Sequence, residues 1–240
     1  MYVVGVDLGQ AQDPTALCIL QREAKRTDKR DGLNREFWED HYFVQHLERP
    51  ELKTAYPEIV RLIERTVRHP KLAGQCELVV DATGVGRPVV DMMREHDLSP
   101  IPVTITGGQA LTMGTDAFWH VPKRMLVSSM AIVLQSGRLH IPKRLSLSAT
   151  LAREMLNFKV KISAAAHDSY GEWRDGEHDD LVLAVALAVW WAERAPLGGW
   201  RGGRDELAER RRLRHIEKQE TPWWRQRTAS DRGPNARWRR

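Results

Sequence analysis

Four aspartates stand where carboxylates are costly unless they serve as ligands. Asp7 lies in Val-Gly-Val-Asp-Leu-Gly and Asp81 ends the run Leu-Val-Val-Asp-Ala-Thr-Gly. Asp179 and Asp180 open the most apolar stretch of the chain, Leu-Val-Leu-Ala-Val-Ala-Leu-Ala-Val-Trp-Trp. An acid set into apolar sequence is expensive to bury unless it is paired or coordinates a cation. Brought together from distant parts of the chain, these acids would form a pocket of oxygen ligands of the kind hard divalent ions such as Mg²⁺ or Mn²⁺ prefer. Two such ions about 4 Å apart activate water and stabilise the leaving oxygen of a phosphodiester. Each acid also has a plain structural explanation, as a strand end, a turn residue or a helix cap. The case rests on their combination and on where each falls.

The elements that must position them follow from hydrophobic periodicity. Tyr2–Leu8, Thr15–Gln21 and Phe37–Leu47 read as three strands joined by local turns, with Lys25 to Arg35 as a charged loop, so the sheet should begin antiparallel. Period 3.6 then takes over: Leu52, Ile59, Leu62, Ile63 and Val67 share one helical stripe that ends at His69-Pro70. A strand over Leu78–Val80 ends at Asp81, and a helix from about Arg87 to His96 and a strand over Ile101–Ile105 follow. Strand–helix–strand at this spacing implies parallel strands with crossovers. Helices from Lys123 to Ser136 and from Ser146 to about Asn157 flank a strand at Arg138–Ile141. Residues 158–174 alternate like a hairpin, and Asp179–Arg194 forms a final helix. The expected fold is α/β, a ribonuclease H-like mixed sheet in which an antiparallel meander is followed by parallel strands, flanked by helices. On it Asp81 falls at a strand carboxyl end, where open α/β sheets place their sites. Asp180 shares a helical face with Ala184 and Ala188, small residues suited to close packing on the sheet, so it should point towards Asp7. Asp179 would then support it or serve the other ion.

Composition excludes several classes. No apolar run reaches the length of a membrane span, and the N-terminus has no signal-peptide pattern. Cys18 and Cys76 show no metal spacing and read as buried thiols of an intracellular protein. The net charge of +5 conceals an asymmetry: residues 195–240 carry +7 and the remainder −2. The expected organisation is therefore a ribonuclease H-like domain over 1–195 and a basic, Trp-containing tail over 196–240 that is partly disordered. Lys123, Arg124, Arg138, Lys143 and Arg144 could form a phosphate-contacting face, as could Lys159 and Lys161 on the hairpin.

Three segments together resemble the nuclease domain of large terminase subunits of tailed bacteriophages. They are Gly5-Val-Asp-Leu-Gly…Asp13-Pro-Thr-Ala-Leu, Val79-Val-Asp-Ala-Thr-Gly-Val-Gly and His178-Asp-Asp-Leu-Val-Leu-Ala-Val-Ala-Leu-Ala. Val121-Pro-Lys-Arg-Met-Leu-Val…Gly137-Arg-Leu-His-Ile-Pro fits the region between the second and third acids. The resemblance implies metal ligands at Asp7, Asp81 and the Asp179–Asp180 pair, two divalent cations, and cutting of concatemeric viral DNA during genome packaging. It also implies double-stranded DNA, the portal protein and the small terminase subunit as partners. The implied location is the bacterial host cytoplasm, transiently at the procapsid portal. Complete large terminases add an ATPase with a Gly-x4-Gly-Lys-Ser/Thr loop, which is not found in these 240 residues. The alternatives are a Holliday-junction resolvase or transposase-like nuclease of the same fold, and a non-catalytic DNA- or portal-binding module.

Overall fold

The computed structural model describes residues 1–9, 13–30, 36–84, 86–164 and 179–194. Its first three strands form the expected meander. β1 (Tyr2–Asp7) pairs antiparallel with β2 (Ala16–Arg30), and β2 with β3 (Glu36–Glu48). The remaining elements are α1 (Tyr56–Val67), β4 (Cys76–Asp81), α2 (Gly86–Glu95), β5 (Pro100–Thr106), β6 (Thr112–Met113), β7 (Trp119–Pro122), α3 (Lys123–Gln135), β8 (Leu139–His140), α4 (Ser148–Ala164) and α5 (Asp180–Arg194). The eight strands form one sheet in the order β6-β7-β5-β4-β1-β2-β3-β8. β1, β4, β5 and β7 run parallel, and β3 pairs in parallel with β8. The central order β3-β2-β1-β4-β5, with β2 reversed, is the ribonuclease H-like arrangement.

Strand pleating divides the core between two faces. Val4, Val6, Leu78 and Val80 pack with Ile59, Ile63, Val89 and Met93 of α1 and α2. Val3, Cys18, Val79 and Val103 pack on the other face with α3, α4 and α5. α5 is buried from Asp180 through Trp190, as a helix apolar all round must be. It approaches the sheet very closely at Gly5. A Cβ there would lie 2.1 Å from the carbonyl oxygen of Ala184 and 3.0 Å from the Cβ of Ala188. The two alanines singled out as small packing residues thus meet the one β1 position that has no side chain.

α5 is pinned at both ends. At its C-terminal end Arg22 donates to the carbonyl of Ala192 (2.9 Å) and pairs with Asp40. Glu193 accepts from Tyr42 and from Arg138 (2.8 Å). At its N-terminal end Glu154 of α4 accepts the backbone N–H of Leu181 (3.1 Å).

Several expectations need correction. The segment read as a charged loop from Lys25 continues β2 to Arg30 and resumes as β3 at Glu36, because cross-strand ion pairs such as Arg26–Glu36 (2.9 Å) suit an extended ribbon. Leu52 precedes α1 and is exposed, since the helix begins only at Tyr56, with Pro57 in its first turn. β6 and β7 were not anticipated: β6 has two residues, and β7 ends on a proline that reads as a breaker. The expected hairpin over 158–174 does not begin at 158, because α4 runs to Ala164. Positions 159 and 161 therefore lie on a helix and not on alternate places of a strand. The side chains of Lys159 and Lys161, the rest of that segment, His178 and the tail from 196 lie outside the described residues.

Candidate metal centre

Register brings the first two acids together. β1 and β4 are adjacent and parallel with Val6 opposite Val80, so the next residues, Asp7 and Asp81, stand side by side at the carboxyl ends. Both share parity with Gly5 and Val79, so both face α5. Gly84, at φ +77°, turns the chain sharply out of β4 in a conformation that favours glycine. The turn lets Thr83 donate its backbone N–H (2.8 Å) and its hydroxyl to Asp81 Oδ1. The same hydroxyl accepts the N–H of Ile105 on β5 (2.8 Å), which ties the Asp81 carboxylate to two strands.

α5 supplies the third position. The Asp179 carbonyl accepts the N–H of Leu183 (2.9 Å), so Asp179 caps the helix and Asp180 begins it. Asp180 is buried, whereas the Asp179 side chain is one-fifth exposed. The two carboxylates diverge. Asp179 Oδ2 pairs with Lys123 Nζ (3.3 Å), and Asp180 Oδ2 lies 3.4 Å from Arg49 Nη2. Asp7, Asp81 and Asp180 are all nearly fully buried.

The electrostatics reflect this crowding. Burial pushes the Asp7 carboxyl well above its ordinary value, and Asp81, Asp180 and Asp179, in that order, push it further, against the ammonium of Lys123. Burial also raises Asp81, opposed by the two Thr83 hydrogen bonds, a hydrogen bond with Asp7, and Lys123. Lys123 is lowered by its own burial, offset by Asp179, Asp7 and Asp81. These acids face one another in a region that excludes water, and fixed cations compensate them only in part.

The donor set fits a hard divalent ion in kind, being all carboxylate oxygen, from Asp7 and Asp81 buried at two strand ends and Asp180 buried at a helix start. As the side chains stand, however, no three acidic, histidine or cysteine groups among the described residues form a ready ligand arrangement. Asp179 and Asp180 are turned to Lys123 and Arg49, so an ion would have to draw them inward.

Of the basic residues singled out, Lys123 joins the acid cluster. Arg124 donates to the carbonyl and side-chain oxygens of Gln109 (3.1 Å each), and Lys143 and Arg144 are exposed in the turn between β8 and α4. Arg138 does not belong with them. It is committed to Glu193 and to the carbonyl of Asp40 (3.3 Å). Sequence reasoning missed Arg49, Thr83 and Glu154. Glu154 carried a usable signal: it lies three residues after Leu151 and next to Met155, on the apolar stripe of α4.

No family model matches the chain, and no curated protein matches it by sequence. Among solved structures it is similar to the large terminase nuclease from thermophilic phage G20c, at 18% identity and a TM-score of 0.49, covering 78% of this chain and 80% of that one. It is also similar to the human cytomegalovirus terminase nuclease domain, at 12% identity and a TM-score of 0.41, covering 80% of this chain and 84% of that one. A manganese-soaked form of that viral domain aligns at 15% identity and a TM-score of 0.38, over 80% of this chain and 83% of that chain.

Proposed function

We propose that this chain is a metal-dependent DNA endonuclease of the large-terminase nuclease type, cutting concatemeric viral DNA during packaging. The observation that carries the proposal is the in-register placement of Asp7 beside Asp81 at the carboxyl ends of β1 and β4, facing the start of α5 at Asp180. Asp7, Asp81 and Asp180 would hold two Mg²⁺ or Mn²⁺ ions, with Asp179 supporting the second. Bound there, the ions supply Lewis-acid stabilisation of the phosphodiester and lower the pKa of attacking water.

The chain's own contribution is positional and electrostatic. Thr83 fixes the orientation of the Asp81 carboxylate through two donated bonds. Burial of the acids keeps bulk water from weakening their pull on cations. Lys123, three-quarters or more shielded from solvent, offers a positive charge beside the acids where a phosphate oxygen would sit. Lys143 and Arg144 are exposed and free to track the DNA backbone, which gives little dependence on base sequence. Double-stranded DNA is the substrate on this reading, and the portal protein and small subunit follow as partners from the resemblance of the acid motifs.

A non-catalytic DNA- or portal-binding module is the second reading. The pairing of Asp179 with Lys123 and of Asp180 with Arg49 favours it. Supercoiled plasmid incubated with Mn²⁺ or Mg²⁺ separates the two. The nuclease reading expects nicking by the wild type and its loss in Asp81→Ala, whereas absent or equal nicking would leave the binding module.

A further inference from the structure

Arg49 and Glu154 have no part in the chemistry above, yet they link the start of the helix that carries Asp180 to the end of β3. Arg49 directly follows β3 and is four-fifths shielded from solvent. Its Nη2 donates to Glu154 Oε1 and also faces Asp180 Oδ2 at 3.4 Å. The other oxygen of Glu154 accepts the N–H of Leu181, the residue after Asp180. Arg49 Nε is buried without a hydrogen-bond partner, so the guanidinium is not seated in a fork-to-fork pair with Glu154 alone. Charge-assisted bonds close to about 2.7–2.9 Å, so the longer approach to Asp180 is mainly Coulombic attraction.

We propose that Arg49 is a tethered counter-ion that neutralises Asp180 in the metal-free protein, and that Glu154 sets how readily Asp180 is released to a divalent cation. The inference rests on the reading of Asp180 as a metal ligand. Glu154 cannot follow Arg49 towards Asp180, because the helix backbone holds its second oxygen. It therefore pulls the guanidinium away from Asp180 and leaves that carboxylate able to turn inward. Arg49 and Glu154 are positioning residues on this account, and neither touches the cation or the substrate. Lys123 and Asp179 form the corresponding pair on the other side of the cluster, so each acid at the start of α5 has its own fixed cation.

The test is a calorimetric titration of the full chain with Mn²⁺ alone, alongside melting temperature in chelator. Arg49→Gln removes the competing charge, so it should bind Mn²⁺ more tightly, on the order of fivefold, and should melt lower when metal-free. Glu154→Gln keeps an acceptor for the Leu181 N–H but leaves Arg49 to Asp180, so it should bind Mn²⁺ more weakly by a similar factor. The double variant should bind like Arg49→Gln, because the competitor is gone. A purely structural pair would lower stability in all three without opposite shifts in Mn²⁺ affinity. Equal or weaker binding by Arg49→Gln, or a double variant as weak as Glu154→Gln, overturns the inference. Should Arg49→Gln fail to fold, Glu154→Gln tests the same claim, and unchanged affinity there overturns it. Failure of the wild type itself to bind Mn²⁺ overturns the metal reading, and this inference with it.

Discussion

Gly5 of β1 lies directly beneath the backbone of Ala184 in α5, so closely that a Cβ on Gly5 would fall 2.1 Å from the Ala184 carbonyl oxygen. That approach sets the depth of α5 in the core, and through it the distance of Asp180 from Asp7 two residues along the same strand. The site depends on this contact as much as on its acids.

A side chain at position 5 must therefore push α5 outward. Gly5→Val should cost about 2–3 kcal/mol, the upper range for overpacking a well-filled core, read as a lower urea midpoint at unchanged m-value. Metal-dependent nicking should be lost even at temperatures where the variant is folded. An unaltered midpoint would show that α5 does not pack as described.

The raised Asp7 carboxyl makes a signed prediction about pH. Burial first, and then Asp81 and Asp180, lift its folded-state value above that of the unfolded chain. Its contribution to stability is then complete below the unfolded value of about 4 and is lost as pH rises towards the folded value. In chelator, Asp7→Asn should melt higher than the wild type at neutral pH, by a few degrees for each kcal/mol in a domain of this size, and the gap should close below about pH 4. Mn²⁺ should raise the wild-type melting temperature and leave Asp7→Asn unmoved. A wild type more stable than Asp7→Asn in chelator at neutral pH would refute the crowding argument.

The exposed pair Lys143 and Arg144 tests backbone tracking separately from chemistry. Lys143→Ala with Arg144→Ala should weaken DNA binding uniformly across sequences. The slope of log affinity against log salt should become shallower by about 1.8, from about 0.9 per lost phosphate contact. Nicking at saturating DNA should be retained. Fluorescence anisotropy at several salt concentrations measures this, and an unchanged slope would remove these residues from the interface.

The opposite end of α5 gives a control for stability without chemistry. Arg138→Ala deletes the bond to Glu193 and the contact with the Asp40 carbonyl. It should cost about 1.5–3 kcal/mol, the range for hydrogen bonds to charged groups, while Mn²⁺ affinity stays that of the wild type. A shift in Mn²⁺ affinity would mean that the two ends of the helix are coupled.

The sheet and its two central acids were legible because strand periodicity is local. An aspartate that ends an apolar run must lie at a strand end, and an antiparallel start followed by crossovers leaves few strand orders. The small residues Ala184 and Ala188 also pointed correctly to the packed face of α5. The continuation of β2 through Lys25 to Arg30 was not legible, because charged residues signal a loop unless cross-strand partners such as Glu36 are known. Arg49 was hidden for a stronger reason. Whether an arginine after a strand turns inward depends on Glu154 and Asp180, more than a hundred residues later in the chain. Glu154 itself could have been read from its place on an apolar stripe.

The most direct test of the central claim is anomalous diffraction from crystals of the full chain soaked in Mn²⁺. Strong peaks are expected in contact with the carboxylates of Asp7, Asp81 and Asp180, two of them about 4 Å apart, and they should disappear in Asp7→Asn. Soaked crystals with no anomalous peak at those carboxylates, or with identical peaks in Asp7→Asn, would contradict it.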